Sequence, residues 1–414
     1  NPDDRTWVFR LRPNVRFHDG RPLTAEDVVF SLGRARNHPR TEVSSYLVEV
    51  ESVKAADPLT VEIRTRRPFA AFLVKLSLIQ VVPRGSPEAI IEPVGTGSYR
   101  LLRYEEGKSI DLVPAPTDWR GPGVRWPLTF VVDRDPRSRL DKLVAGEVEV
   151  AAGLSEDAVI ALRDSACCRA AIRPGSVVEY LHLSSIDPRF RDRRVRQAID
   201  LAIDRAAYVA EVHRGLGQPV GQLVVPGVFG YAPDQKPPKR DVARARRLLA
   251  EAGYPDGFDA VLEYRPGRRG DLLAAQLAEA GFRVTPKESL WKDLFSRLQR
   301  GEVGFYLGGV AAQTGEASDV LDSFVHTREE ARGYGNTNHS RYSNPSVDAL
   351  IEEAATSLAL IRRRELLQEA MRLAMSDVVF VPIAGLYDVN GVREGVRFVP
   401  RVDMKLLGRE ISRE

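Results

Sequence analysis

The chain has 414 residues, 43% hydrophobic and 28% charged, with 60 Lys and Arg against 57 Asp and Glu for a formal net charge of +3. At about 150 residues per domain that length holds two or three domains, and the even charge balance argues against a nucleic-acid binder, which carries a clustered basic excess. The apolar fraction supports large cores and excludes a disordered or fibrous chain as the whole answer.

In chain order, residues 7–12 alternate as a strand and Val15-Arg16-Phe17 repeats the pattern after a Pro13-Asn14 break. Asp19-Gly20 is a turn signal. Thr24 with Glu26 and Asp27 opens a helix, and Val28, Leu32 and Ala35 form its buried face. Strands are expected at 60–64 and 98–104. Cys167 and Cys168 are adjacent, a spacing that bridges only as a strained ring, so two free thiols are expected. From Asp192 onward helices alternate with strands. Asp192 caps a helix burying Val195, Ile199 and Ala202. The uncharged run 215–233 holds five Gly, three Pro and two Gln, too many breakers for a membrane span, and reads as a loop excursion. Asp241 caps a helix that stops at Gly253. Strands at 260–264, 282–285 and 303–307 alternate with helices at 271–280 and 290–300, which predicts βαβ units and a parallel sheet. Ligands of such sheets bind at the strand carboxyl ends, so the loop 308–319 is the first place to look for a site. Asn344-Pro345 starts a late helix with Val347, Leu350, Ile351 and Ala354 buried, and 378–383 is a last apolar strand.

Catalytic motifs are missing. Gly107-Lys108-Ser109 lacks the upstream Gly of a phosphate loop, since Leu102 stands there; Gly95-Thr96-Gly97 lacks the third Gly of a dinucleotide fingerprint, since Arg100 stands there. No nucleophile elbow and no zinc-protease helix occurs. The six histidines show no i, i+4 pairing. The arginine clusters at 191–196 and 362–364 read as solvated helix faces with Asp187, Asp192 and Asp200 nearby, and Trp7, Trp119, Trp126 and Trp291 read as packing residues. On motifs alone this is a multi-domain α/β protein built for binding rather than catalysis.

The stretch from Trp7-Val8-Phe9-Arg10 through Phe17-His18-Asp19-Gly20 to Thr24-Ala25-Glu26-Asp27-Val28 resembles the signature of the extracellular solute-binding proteins of family 5, the receptors of peptide and nickel ABC importers. Val94-Gly95-Thr96-Gly97-Ser98-Tyr99-Arg100, Arg193-Arg194-Val195-Arg196-Gln197-Ala198-Ile199, Leu248-Leu249-Ala250-Glu251-Ala252-Gly253-Tyr254 and Tyr342-Ser343-Asn344-Pro345 follow in that family's order. The resemblance implies a type II periplasmic-binding-protein fold, a Venus-flytrap of two α/β lobes plus an extra domain. It places 1–93 in the extra domain, 94–183 and 385–414 in the first lobe, and 184–384 in the second. Family members carry a signal or lipoprotein peptide and several first-lobe strands before the tryptophan signature. The resemblance therefore implies that the N-terminal part of the first lobe is missing here, and the absence of an initiator Met points the same way.

Peptide-binding members resemble Gly-Trp-x-Ala-Asp-x-Gly/Asn-acid-Pro in the crevice loop, with the first Asp holding the ligand's ammonium group. This chain has Val310 for the Trp and Gln313 for the Asp, and Glu316 at the second acidic position. The candidate ligand-binding residues are Val310, Gln313, Thr314 and Glu316, with Tyr46 from the extra domain; Glu316 serves either the ligand or the loop itself. The expected protein is a periplasmic or cell-surface receptor, with or without a lipid anchor, monomeric and not an enzyme. It needs no cofactor, captures a peptide or similar small organic solute, and delivers it to ABC permease subunits. A nickel or metal-chelate receptor on the same fold is the alternative, and a hydrolase grafted on the fold a remote one.

Overall fold

Thr24 shows how the chain begins to fold: its backbone N–H and its hydroxyl donate to the Asp27 carboxylate at 2.8 and 2.7 Å, which fixes the start of α1 (Ala25–Asn37). In the computed structural model, which describes residues 3–38, 42–116, 118–121, 124, 126–266 and 269–413, α1 packs on an antiparallel sheet. That sheet comprises β1 (Thr6–Arg10), β2 (Val50–Asp57) and β3 (Thr60–Thr65) in the order β1-β3-β2. Leu32, Val61, Ile63 and Phe72 of the short helix α2 (Phe72–Leu76) form its core. The expected second strand at 15–17 is a single bridge, Arg16 to Pro22. Turns at Asn14, whose φ is 64°, and at Asp19-Gly20 leave too few residues between them for a ladder.

His18 ties this domain to the next segment, its N–H donating to Gly95 O at 2.9 Å and its Nε2 lying 3.0 Å from Gly97 O. There β4 (Tyr99–Glu105), β5 (Ser109–Pro114) and β6 (Leu128–Val131) form an antiparallel sheet in sequential order. Next come α3 (Pro136–Ala145), β7 (Val150–Ala151), α4 (Asp157–Leu162) and β8 (Cys168–Leu183). Leu143, Ala151, Leu162 and Cys168 pack together, and Cys167 and Cys168 are free thiols.

Beyond β8 lie α5 (Arg193–Ala202), α6 (Arg205–Val212), the short β9 (Gly217–Pro219) and α7 (Val242–Glu251). Then follow β10 (Asp259–Tyr264), α8 (Gly270–Glu279), β11 (Arg283–Glu288), α9 (Trp291–Arg300), β12 (Phe305–Ala311), α10 (Ala317–Val320), α11 (Pro345–Thr356), α12 (Leu360–Ser376) and β13 (Phe380–Arg393). The large sheet runs β11-β10-β12-β8-β13-β7. It is mixed rather than parallel: β10 pairs in parallel with β11 and β12, and every other pairing on that path is antiparallel. The βαβ expectation holds for β10, β11 and β12, which α8 and α9 connect; β8 pairs antiparallel with both β12 and β13. Side-chain alternation covers both faces. Val178, Tyr180, Tyr306 and Val310 enter one core with α11 and α12, while Leu181, Leu183, Phe305 and Leu307 enter another with α5 to α8.

β8 and β13 are the structural axis. Residues 177–183 of β8 pair with β12, whereas 168–174 pair with 387–393 of β13, whose far end pairs with β7. Register shifts between Pro382 and Ala384 and between Gly385 and Tyr387 mark the crossing. Residues 178–182 also pair with 380–385 of β13 on their other side. In the arginine clusters Arg191, Arg193, Arg194, Arg362 and Arg364 are exposed as expected, and Arg363 is the exception. Arg193 and Arg196 donate to the Ser376 and Asp377 carbonyls at the α12 C-terminus, and Arg363 is 3% exposed.

Asp388 on β13 is buried and accepts from Asn390 Nδ2 at 2.8 Å. Burial pushes its carboxyl above the usual range and Asn390 only partly offsets this. A carboxylate so placed costs stability once pH exceeds its ordinary pKa. Asp388→Asn is therefore expected to raise the denaturation midpoint, and by more at pH 7 than at pH 4. An unchanged midpoint at pH 7 would refute the burial cost.

Candidate functional site

β12 runs to Ala311, four residues beyond the expected strand end, so the crevice loop begins at Ala312. Its conformation is set from below by Asp319 in the first turn of α10. One Asp319 carboxylate oxygen accepts the N–H groups of Gln313 at 2.8 Å and Thr314 at 3.2 Å. Burial raises the Asp319 pKa, and these N–H groups and Lys75 only partly counter it. The loop is held from the side by the Gly-rich excursion. Phe229 N–H donates to Gly315 O at 2.9 Å and Ala317 N–H to Phe229 O at 2.8 Å. The excursion passes so close to α12 that a Cβ on Gly230, whose φ is +88°, would lie 2.9 Å from Leu367 Cβ and 3.0 Å from Ala317 Cβ. Glycine fits there for both reasons.

Gln313 and Thr314 face a cleft of about 400 Å³ at the crossing of β8 and β13. Val228 and Gly227 of the excursion line one side, and Arg173 and Ser176 of β8 line the floor. The opposite wall is the turn 401–403. It belongs to the C-terminal segment that packs on Ala171 and Val150 through Val396, Phe398 and Leu406. Gly175 lets this wall approach the strand: a Cβ there would lie 3.0 Å from Met404 Sδ and 3.2 Å from Leu386 O. Arg401 donates to both Asp403 oxygens at 2.8 and 2.9 Å and to Glu410 at 3.0 Å. Arg173 donates to Pro400 O at 2.9 Å.

The structure brings Gln313 and Thr314 together at this cleft and moves three other expected residues away from it. Val310 is 5% exposed and packs in the core below the sheet, because its place in the strand alternation turns it from the cleft. Glu316 points at α12, where its two oxygens take Arg363 Nη1 and Nη2 at 3.0 and 2.5 Å, and Ser318 Oγ donates to it at 3.2 Å. Tyr46 lies 5.8 Å from the Lys75 ammonium, which pairs with Asp322 at 2.9 Å. Arg173, Ser176, Val228 and the 401–403 turn were not expected. The Pro174-Gly175 break inside a strand was the one local signal for the first two. The last pair depends on chain segments far apart in sequence.

A larger cavity of about 600 Å³ lies away from these groups, between β6 and β7, lined by Leu128, Phe130, Val150, Leu406 and Ile411. It is a groove between two sheets, and its lining does not include the loop 312–316. Among the described residues no three His, Cys, Asp or Glu side chains converge on a metal position, and no helix is long and apolar enough to cross a membrane.

Residues 1–332 match the sequence profile of the bacterial extracellular solute-binding proteins, family 5 Middle, and the chain belongs to that family. It is a solute-binding protein with type II periplasmic-binding-protein architecture. Over 421 residues it is 26% identical to the heme-binding protein A of Haemophilus influenzae, covering 92% of this chain and 76% of that protein. Over 407 residues it is 26% identical to the dipeptide-binding protein of Escherichia coli K12, covering 89% and 76%. The ABC transporter-associated periplasmic binding protein DppA from Helicobacter pylori, in complex with the peptide STSA, superposes with a TM-score of 0.86 at 22% identity, covering 100% of this chain and 87% of that one.

Proposed function

We propose that the cleft at the β8–β13 crossing captures a peptide or similar small organic solute that does not depend on a free α-amine. One observation carries the reading: the cleft presents the neutral amide of Gln313, while the nearby Asp319 carboxylate is turned onto the loop's own N–H groups. An ammonium group buried in a closed cleft costs several kcal/mol unless a carboxylate pairs with it, and Glu316 is engaged by Arg363. The 400 Å³ volume lies within the range of small-molecule sites. The cleft wall and loop come from the two sides of the crossing, so a bound solute draws them together, and the closed form is what the permease subunits read. The protein works as a monomeric receptor outside the cytoplasmic membrane rather than as an enzyme.

Calorimetry with a dipeptide and its N-acetyl form tests this. The N-acetyl form is expected to bind at least as well, and Gln313→Asp to shift preference toward the free amine by about ten-fold, or about 1.4 kcal/mol. Free-amine binding that is abolished by acetylation in the unaltered protein would refute it.

A further inference from the structure

We propose that Arg173 is an anion-recognition residue of the cleft, and that the solute carries a carboxylate which docks on its guanidinium. This rests on the cleft reading above and narrows the ligand class. The cleft has three charged side chains among its described lining residues: Arg173, Arg401 and Asp403. Arg401 and Asp403 neutralise each other through two hydrogen bonds, and Glu410 takes a further Arg401 N–H. Arg173 is exposed and gives one Nη1 N–H to a backbone carbonyl, that of Pro400. Among the described residues no carboxylate pairs with it. Asp388 stands opposite it in the β13 register, but the Asp388 carboxylate is held by Asn390 and its shift stems from burial and Asn390 without a contribution from Arg173. Gln313 and Thr314 across the cleft are neutral, and the Asp319 carboxylate is occupied with their N–H groups. Among the cleft's described lining residues Arg173 is thus the cation without a carboxylate partner, with planar donors left for a carboxylate's two oxygens.

Position strengthens the argument. Arg173 sits on β8 two residues before Gly175, where the strand passes between lobes. A solute held there touches the 401–403 wall on one side and the 312–315 loop on the other. Closure removes water from the guanidinium, so a solute bringing the opposite charge stabilises the closed form, and a neutral isostere leaves a desolvated cation behind.

Two matched pairs test the proposal by calorimetry: N-acetyl-dialanine against its C-terminal amide, and glutarate against glutaramide. In the unaltered protein the acid of at least one pair is expected to bind about ten-fold tighter than its amide. Arg173→Gln should bring that ratio to within about two-fold, chiefly by weakening the acid, with the amide binding no worse than in the parent, and Arg173→Lys should keep part of it. Arg173 is exposed, so the ligand-free melting temperature of both variants should match the parent, and a fall would locate its role in packing instead. Equal binding of acid and amide, or acid preference that survives Arg173→Gln, would overturn the anion role while leaving the solute cleft standing. Binding of glutarate without either peptide form would keep the anion role and remove the peptide. No binding in any arm would overturn both.

Discussion

Glu316→Gln is expected to cost the folded protein about 3–5 kcal/mol, read as a lowered denaturant midpoint. Arg363 is 3% exposed on α12 and its charge is balanced by the two Glu316 oxygens, themselves part of a side chain that is 13% exposed. Its Nε has no hydrogen-bond partner among the described residues, so no second acceptor stands in for Glu316. Removing one member of a buried pair leaves the other desolvated and uncompensated, which costs far more than the pair contributes as a whole. The same argument makes Glu316→Leu with Arg363→Met less harmful than Glu316→Gln alone. The effect should extend to the cleft. Phe229 lies under both Arg363 and Arg364 at 5.4 and 5.3 Å, and its backbone carries the loop at Gly315 and Ala317. Unchanged stability in Glu316→Gln would show that the pair is not what anchors the loop, and would return Glu316 to the list of groups free to meet a solute.

The physical reasons why some of this was legible in the sequence and some was not are separable. Local rules located the caps at Thr24, Asp192 and Asp241, because capping depends on residues two or three apart. The 3.6-residue pattern likewise located the buried faces of α5 and α11. The crevice loop was found from the strand-end rule, with its start displaced because β12 continues through Gly308-Gly309, residues that read as punctuation yet pair with Tyr180 and Glu179 of β8. Val310 enters the core for that reason: in a loop it could face a ligand, but in a strand its parity is fixed. The charge state of the cleft was illegible. Arg363 reads as one arginine among three on a polar helix start, and its burial follows only from the excursion and the loop closing over it. The 401–403 wall meets Arg173 across more than two hundred residues of chain, and no spacing rule links them.

That long-range character is strongest at His213, where an alkaline weakening of the fold is expected. The ring follows α6 on the second-lobe side, and both its nitrogens are taken: Nδ1 lies 2.9 Å from Glu156, just before α4 on the first-lobe side, and Nε2 lies 2.9 Å from Glu179 on β8. Tyr208 donates to the same Glu179 oxygen at 3.1 Å, and Arg214 pairs with Asp157 at 2.5 Å alongside. Burial works against the imidazolium, but the two carboxylates outweigh it and raise the His213 pKa to about 9. Because the folded value lies above the ordinary one near 6.5, the stabilisation is fully present below about pH 6.5 and is lost as pH rises through 9. A rise of that size corresponds to about 3 kcal/mol. At the acid end Glu156, half-buried yet drawn below the usual range by His213, keeps its contribution until pH falls under the ordinary glutamate pKa. The denaturation midpoint of the unaltered protein should therefore exceed that of His213→Gln by the most near pH 6, with the gap narrowing steadily toward pH 10. A gap that stays constant across that range would mean that the ring acts as a neutral hydrogen-bonding group, and that the two lobes are joined here by shape rather than by charge.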